Sequence, residues 1–387
     1  MPDEEKSSLL SDEQNNPKEP RKMKLEHIPL AVKIIYLLSL VSLVLYILFR
    51  CITPFADWFN TRISAYLRLV LAKLTVWIPF SFAEILFMLL PVAFVALCVI
   101  SFKFVPDRWR SIGIWAADVC VVLAVIFNIF VWNFAAGYSA SSLDKRLGID
   151  TENISKEDLY AVTCTIIDNL NEASLSVVYE DSGASIMPYG YREMNQKLMQ
   201  AYESFSQTEI GKDLYLSFSS RVKNIILSRP MSYTRITGVY TFFTGEANIN
   251  VDFPAYTIPY TAAHELAHQR GFARENEANF IAYLICHHSD DVYLRYSAEM
   301  NMFEYLYSIL YSADHDLADE AVSRLSDGIR SELRAYYAFL DTRENKVVRT
   351  ISHSFNDTYL KSQGTEGSIS YDLVAYLTVA YYNQHLD

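Results

Sequence analysis

The sequence predicts an α+β, mainly α-helical fold in which three N-terminal transmembrane helices precede an extracytoplasmic domain. Three apolar segments within residues 29–137 are each long enough to cross a hydrocarbon core of about 30 Å. Helical periodicity dominates from Pro259 onward, and only residues 231–253 have the Thr-, Val- and aromatic-rich texture of short strands. With 51% hydrophobic and 20% charged residues, the chain is too apolar to be disordered and too charged to be only a membrane bundle.

The first 137 residues are interpreted as a tail followed by a membrane domain. Residues 1–28 are polar and charged and contain proline, so they cannot bury enough apolar surface to fold, and a disordered cytoplasmic tail is expected. Charged residues at amphipathic spacing between 57 and 73 predict a segment at the membrane surface. The membrane domain, 29–137, contains three predicted transmembrane helices, at about 29–49, 80–104 and 112–134.

Basic residues beside the apolar segments predict the orientation in the membrane. Those before the first span are Lys18, Arg21, Lys22 and Lys24, and those in the loop between the second and third spans are Lys103, Arg108 and Arg110. Because such residues are retained in the cytoplasm, both regions are predicted to lie inside. Three crossings then place residues 138–387 outside, and the sequence predicts a multi-pass plasma-membrane protein with an extracytoplasmic domain.

Residues 138–387 are predicted to contain many helices and a small sheet. Ser155 and Asp158 form a capping-box pattern at the start of one helix, and a second helix is predicted over 191–205. Short strands are predicted within 231–253. Further helices are predicted at 260–271, 276–288, 291–312, 317–341 and 346–361, followed by a final helix capped by Ser370.

Charge and cysteine content limit the classes of function. The chain has 33 Lys and Arg against 45 Asp and Glu, a net charge of −12, so no nucleic-acid partner is predicted. Three of the five cysteines lie in or beside the apolar segments. A disulfide framework is therefore excluded, and only the pairing of Cys164 with Cys286 stays open.

The chemically informative segment, residues 261–280, contains the motif His264-Glu265-Leu-Ala-His268. Histidines four residues apart project from one face of a helix, so two imidazole nitrogens can bind one Zn²⁺. Glu265 stands next to the first ligand, where its carboxylate can take a proton from water during attack on a carbonyl and pass it to the leaving amine. The motif thus predicts zinc as cofactor, His264 and His268 as ligands, and Glu265 as the catalytic base.

A third zinc ligand is expected, because a catalytic zinc commonly has three protein ligands and an open position for water. Arg274 stands where one class of such proteases carries a third histidine, so a carboxylate is expected instead. Glu275 is favoured, because small residues on its helix face permit close approach to the histidines. Glu277 is the alternative, and otherwise it is expected to face solvent or to support the site. His287 and His288 are weaker candidates at a helix end.

Two resemblances extend this prediction. Glu275, Ala278 and Asn279 resemble the third-ligand helix of membrane-embedded gluzincin proteases related to the CAAX-processing and HtpX enzymes, and they are similar to a segment of ImmA-like zinc peptidases. The longer segment HELAHQRGFARENEANF more closely resembles the signature of a bacterial membrane-protein family catalogued as domain of unknown function 3810, and this resemblance extends over most of the chain. It implies a zincin-like site, so residues 138–387 are expected to form a zincin-like metallopeptidase domain.

The predicted function is a membrane-anchored zinc metallopeptidase that hydrolyses peptide bonds in a peptide or protein substrate. Asn248 and Asn250 are candidate substrate-binding residues, because zinc proteases commonly bind an extended peptide at a sheet edge. The oxyanion donor could be His353, Tyr371 or another tyrosine, and the sequence selects none. Two alternatives stay open: a non-enzymatic, metal-stabilised membrane receptor or scaffold, and a zinc amidase that acts on cell-wall material.

Overall fold

Helices make up most of the protein and surround one small sheet, which confirms the α+β, mainly α prediction. The computed structural model describes residues 29–103, 108–365, 367 and 373–385, so the predicted tail, 1–28, and the predicted cap at Ser370 lie outside the described residues. The strands are β1 (Val222–Asn224), β2 (Gly238–Thr241) and β3 (Glu246–Ile249). The helices are α1 (Leu30–Cys51), α2 (Thr53–Phe59), α3 (Ala65–Thr75), α4 (Phe82–Lys103), α5 (Arg108–Phe130), α6 (Ala136–Ser139), α7 (Leu143–Leu147), α8 (Lys156–Ser174), α9 (Tyr191–Ser206), α10 (Ser228–Ser232), α11 (Thr257–Arg270), α12 (Glu275–His287), α13 (Val292–Ala313), α14 (His315–Ser323), α15 (Asp327–Thr342), α16 (Lys346–Ser362) and α17 (Leu373–His385).

Three helical segments are long and apolar enough to cross a membrane, and they are consistent with association with a lipid bilayer. They are Leu30–Cys51, Phe82–Ile100 and Arg108–Ser139. The third combines α5, a π-helical turn at Val131–Ala135 and α6, so it is longer than the predicted segment. Its 32 residues exceed the roughly 20 that a crossing needs, and the side chains of its last part are mostly buried by protein.

The segment between the first two spans is buried by protein on one face, whereas Tyr66 and Val70 on its other face are more than half exposed. It consists of α2, a π-helical turn at Asn60–Ser64, and α3. Arg68 of α3 is only 1% exposed; its Nη1 donates to the Asn133 carbonyl at 2.6 Å, and its Nη2 donates to the Arg270 carbonyl at 3.4 Å. Burial lowers the pKa of Arg68 to about 10, so the side chain stays charged at neutral pH. This cation therefore joins the third span to the end of α11.

The sheet differs in part from the predicted strands at 231–253. Its order is β1-β3-β2, with β1 parallel and β2 antiparallel to β3. β2 and β3 lie in the predicted region, whereas residues 231 and 232 belong to helix α10 and β1 precedes the region. β1 has only three residues, too few for an alternating pattern to be visible in sequence.

The remaining helices lie close to their predicted positions, except that one predicted helix is divided into two. The Ser155 hydroxyl accepts from the Asp158 amide at 3.0 Å and completes the predicted capping box of α8. The single helix expected at 317–341 is two helices, α14 and α15, because the chain turns after Ser323 and Arg330 binds the Val322 carbonyl at 2.7 Å. Cys164 and Cys286 are both buried free thiols.

Candidate metal centre and active site

The motif histidines lie on α11, a helix surrounded by protein. All of its side chains but one are buried, and the partly exposed residue is His264. The helix ends at Gly271, whose φ of +105° is a left-handed conformation that favours glycine. The rings of His264 and His268 are 4.5 Å apart between centroids, one helical turn from each other.

Glu275 is the acidic residue that joins the two histidines. It begins α12, which packs against α11 after the turn at Gly271. Its Oε2 lies 3.2 Å from His264 Nε2 and 3.6 Å from His268 Nε2. Ligands of a tetrahedral zinc at about 2.0–2.1 Å lie roughly 3.3 Å from one another, so this spacing fits the ion. Among the described residues, this is the one group of three or more His, Cys, Asp or Glu that could hold a metal.

A hydrogen bond selects the tautomer of neutral His268. Its Nδ1 lies 2.7 Å from the Phe272 carbonyl, and donation of Nδ1–H to this oxygen leaves the Nε2 lone pair directed at Glu275. A carbonyl oxygen cannot donate, so this tautomer is the one that the contact requires for neutral imidazole. Asn279 lies next to His264, one turn after Glu275 on α12. In its neutral form, His268 is therefore held in the tautomer that zinc coordination would need.

The pKa values of His264, His268 and Glu275 depend strongly on one another. Burial lowers the pKa of His268, but the Glu275 carboxylate outweighs this and raises it to about 9. Burial also lowers the pKa of His264, and neighbouring His268 adds to this effect. Burial alone would raise the pKa of Glu275, yet the two histidines hold it far below its usual range. Glu275 thus stays ionised, and a cation is favoured beside it.

Glu265 lies beside His264 and His268 and faces β2. It is 4% exposed, accepts a hydrogen bond from the Tyr240 amide, and has an Oε2 without a partner among the described residues. Burial raises the pKa of Glu265 to about 8, and the positive charge of His268 partly opposes the shift. A Cβ at Gly238 would lie 2.5 Å from Glu265 Oε1, so glycine lets the strand approach the carboxylate. The arrangement can exchange a proton near neutral pH.

Glu277 is part of the support of α12 and does not join the histidines. It is 4% exposed, so the alternative expectation of a solvent-facing side chain is wrong. Its Oε1 accepts from the Leu143 amide at 3.0 Å and from Arg274 Nη1 at 2.7 Å. Arg274 Nη2 also donates to the Tyr138 carbonyl at 3.0 Å. These contacts attach the start of α12 to the end of the third span.

The other predicted residues lie away from the histidines and Glu275. Asn248 is 1% exposed and donates to the Val239 carbonyl at 3.2 Å; it also lines a cavity of about 430 Å³ on the sheet face opposite α11. Asn250 is fully buried and donates to the Ile236 carbonyl at 3.1 Å. His287 and His288 lie at the end of α12 and are not in the group, and Tyr371 lies outside the described residues.

Tyr359 of α16 lies near the site and was not selected by the sequence. Its hydroxyl is 3.2 Å from the Tyr138 hydroxyl at the end of the third span. Burial raises the pKa of Tyr359, the Tyr138 hydroxyl lowers it, and the charge of Glu275 raises it. Tyr359 is therefore a phenol at neutral pH that can donate a hydrogen bond close to Glu275. Because it is far from the motif in the chain, no local pattern could have identified it.

Comparison with known proteins identifies one family model that matches the chain. A family model described as a protein of unknown function (DUF3810) matches residues 59–379. The match spans most of the chain, in agreement with the resemblance of the motif segment. No curated protein and no solved structure matches the chain.

Proposed function

We propose that this chain, which belongs to the DUF3810 family, is a membrane-anchored zinc metallopeptidase with a zincin-like domain. The observation that carries the proposal is the convergence of His264, His268 and Glu275 on one point, with Glu265 beside them on α11. Two neutral imidazoles and a carboxylate are a ligand set of catalytic zinc sites. Zinc held there would act as a Lewis acid toward water and the substrate carbonyl.

The side chains of this site can supply the proton transfers of amide hydrolysis. Glu265 takes a proton from the attacking water and donates it to the leaving nitrogen. The water oxygen forms a bond to the carbonyl carbon, and the carbon–nitrogen bond then breaks. Tyr359 donates a hydrogen bond to the carbonyl oxygen as negative charge develops there.

The free edge of β2 supports a peptide as the substrate. β2 pairs with β3 on one side and has no strand on its other side among the described residues. Gly238 of this strand lies against Glu265, so a chain that adds to the edge passes the catalytic carboxylate. Backbone hydrogen bonds along such an edge bind extended peptides with little dependence on their sequence.

The proposal includes a multi-pass arrangement in the plasma membrane. Three membrane-length helices, together with basic residues before the first and between the second and third, favour a cytoplasmic N-terminus. Residues 138–387 would then lie outside the cytoplasm. The partners in this proposal are the lipid bilayer and a peptide or protein substrate.

A closed structural zinc site is less well supported than a catalytic one. Among the described residues, no fourth His, Cys, Asp or Glu joins the three that converge. Structural zinc sites commonly have four protein ligands, whereas catalytic sites have three and an open position. A carboxylate such as Glu265, beside the ligands but not among them, is what hydrolysis needs.

The test uses the full-length protein in lipid nanodiscs. Metal content is measured for the wild type and for the Glu265→Gln, Glu275→Ala and Glu277→Ala variants, and each is then incubated with a peptide library read by mass spectrometry. We expect Glu265→Gln to keep zinc and to lower kcat/KM by about 10²–10⁴-fold. We expect Glu275→Ala to lose zinc and Glu277→Ala to keep it. Stoichiometric zinc without cleavage of any peptide would contradict the peptidase, and cleavage retained by Glu265→Gln would contradict its role.

A further inference from the structure

The height of the site above the bilayer defines a class of substrate. We infer that the protein cleaves polypeptides anchored in the same membrane, at bonds about two to four residues outside it. This inference rests on the proposed function and deepens it. It follows from where the lipid-facing surface ends, how far the metal ligands lie beyond that level, and how rigidly they are attached.

The outer boundary of the lipid-facing surface is marked by a change in exposure. On the third span, Ile126 is 42% exposed, whereas Val131 is fully buried by protein. Apolar side chains that are exposed on a membrane helix face lipid, so on the third span the lipid-facing surface ends just before Val131.

Phenylalanine rings of two membrane-length helices contact the residues that follow β2 near this boundary. Phe130 of the third span lies 5.4 Å from Phe242 between ring centroids, and Phe87 of the second span lies 5.7 Å from Phe243. Phe242 and Phe243 directly follow β2. The membrane end of β2 is therefore at the level of the interface.

The metal ligands lie little more than one helical turn above this level. Phe134 follows Phe130 by four residues, a rise of about 6 Å along the helix. The ring of Phe134 is 6.2 Å from the ring of His268 between centroids. Along β2, the path from Gly238 beside Glu265 to Phe242 is four residues, or about 13 Å.

Rigid contacts fix this height. A Cβ at Gly137 would lie 2.9 Å from both the Ala273 Cβ and the Gly271 carbonyl, so the third span touches the turn between α11 and α12 directly. Arg68 bridges the third span to the end of α11, as described above. Arg274 Nη2 donates to the carbonyl of Ala140 at 2.6 Å and so attaches the start of α12 to the same region. The site cannot move far from the membrane without breaking these contacts.

An anchored polypeptide fits this geometry. A chain added to the free edge of β2 is led from Glu265 toward the interface, where it can enter the bilayer after about two to four residues at 3.3 Å each. Anchoring in the same membrane also raises the effective concentration of the substrate at the site. A long soluble polypeptide gains neither advantage.

The test uses liposomes that contain the full-length protein and single-span substrates. The first residues outside the membrane, about 20 of them, are randomised, and cut positions are mapped by mass spectrometry. Cuts within the first six or so residues, and at least about tenfold less cleavage of the same segments in a soluble carrier, would support the inference. Cuts spread evenly along the segment, equal cleavage of the soluble carrier, or cleavage of lipid-linked cell-wall amides in place of polypeptides would each overturn it.

A control separates this inference from the proposed function. If the soluble carrier is cut as well as the anchored one, and Glu265→Gln cuts neither, the peptidase stands and the anchored substrate is refuted. If zinc is bound and neither is cut by the wild type, the peptidase itself fails. A readout without cleavage is quenching of headgroup-labelled lipids by Co²⁺ added in place of Zn²⁺. We expect quenching that is lost in His264→Ala, and bound Co²⁺ without quenching would overturn the assigned height.

Discussion

Acidification should weaken zinc binding steeply, because zinc and a proton compete for His268. Glu275 raises the pKa of His268 to about 9 in spite of its burial, whereas Glu275 itself stays ionised and the pKa of His264 is lowered below 6.5. Only neutral imidazole binds zinc. One proton must therefore be displaced at every pH between about 6.5 and 9, and binding becomes stronger as the pH rises and levels off above 9.

The size of this effect follows from the pKa. Each unit of pH below the pKa of His268 costs a factor of ten, or about 1.4 kcal/mol. Between pH 8.5 and pH 6.5 the affinity should thus fall about 100-fold, equal to about 2.7 kcal/mol. The measurement is a competition titration against a fluorescent zinc chelator, with the protein in nanodiscs. It is best made in a Glu265→Gln background, because the Glu265 carboxyl, with a pKa of about 8, would titrate in the same range.

A matched variant tests whether Glu275 is the cause of the raised pKa of His268. Glu275→Gln removes the main charge that raises the pKa of His268, so burial, the largest single cause, should then lower it. Zinc should bind more weakly to this variant at every pH, and its affinity should hardly change between pH 7 and 9. A flat wild-type profile over that interval, or an unchanged slope in Glu275→Gln, would refute the coupling between the two ligands.

Three further changes test the surroundings of the site. Gly238→Ala should keep zinc but lower kcat/KM by about 10²-fold, because its Cβ would displace Glu265; loss of zinc would contradict this reason. Arg68→Met should lower the free energy of unfolding in detergent by about 2–4 kcal/mol, since buried acceptors lose a charged donor, while exposed Arg62→Met should change it by less than about 0.5 kcal/mol. Ser155→Ala should cost about 1 kcal/mol through loss of the α8 cap, measured by thermal unfolding, and no change would contradict the capping box.

Much of the fold follows from signals that are local in the chain. The apolar segments at the N-terminus are recognisable because each one is long and nearly free of charge, and the α8 cap because Ser155 and Asp158 are close in sequence. Other features were wrong or missed. β1 has only three residues, the helix expected at 317–341 is divided into α14 and α15, and the burial of Arg68 within 57–73 was not predicted. Their conformation depends on contacts with residues distant in the chain.

In the candidate site too, some relations between residues could be predicted from the sequence and others could not. The sequence by itself determined that His264 and His268 share a helix face and that Glu265 stands beside them, because spacing along one helix fixes those relations. It left Glu275 and Glu277 as alternatives, since their positions relative to the histidines depend on the angle between two helices. Only the tertiary structure brought Glu275 to the pair.

The same holds for the residues that come from other elements. Gly238 opens space for the Glu265 carboxylate, Tyr359 approaches Glu275, and Phe134 of the third membrane-length helix packs against His268. These neighbours are separated from the motif by long stretches of chain. They are decided by packing between elements, which periodicity and short motifs do not encode.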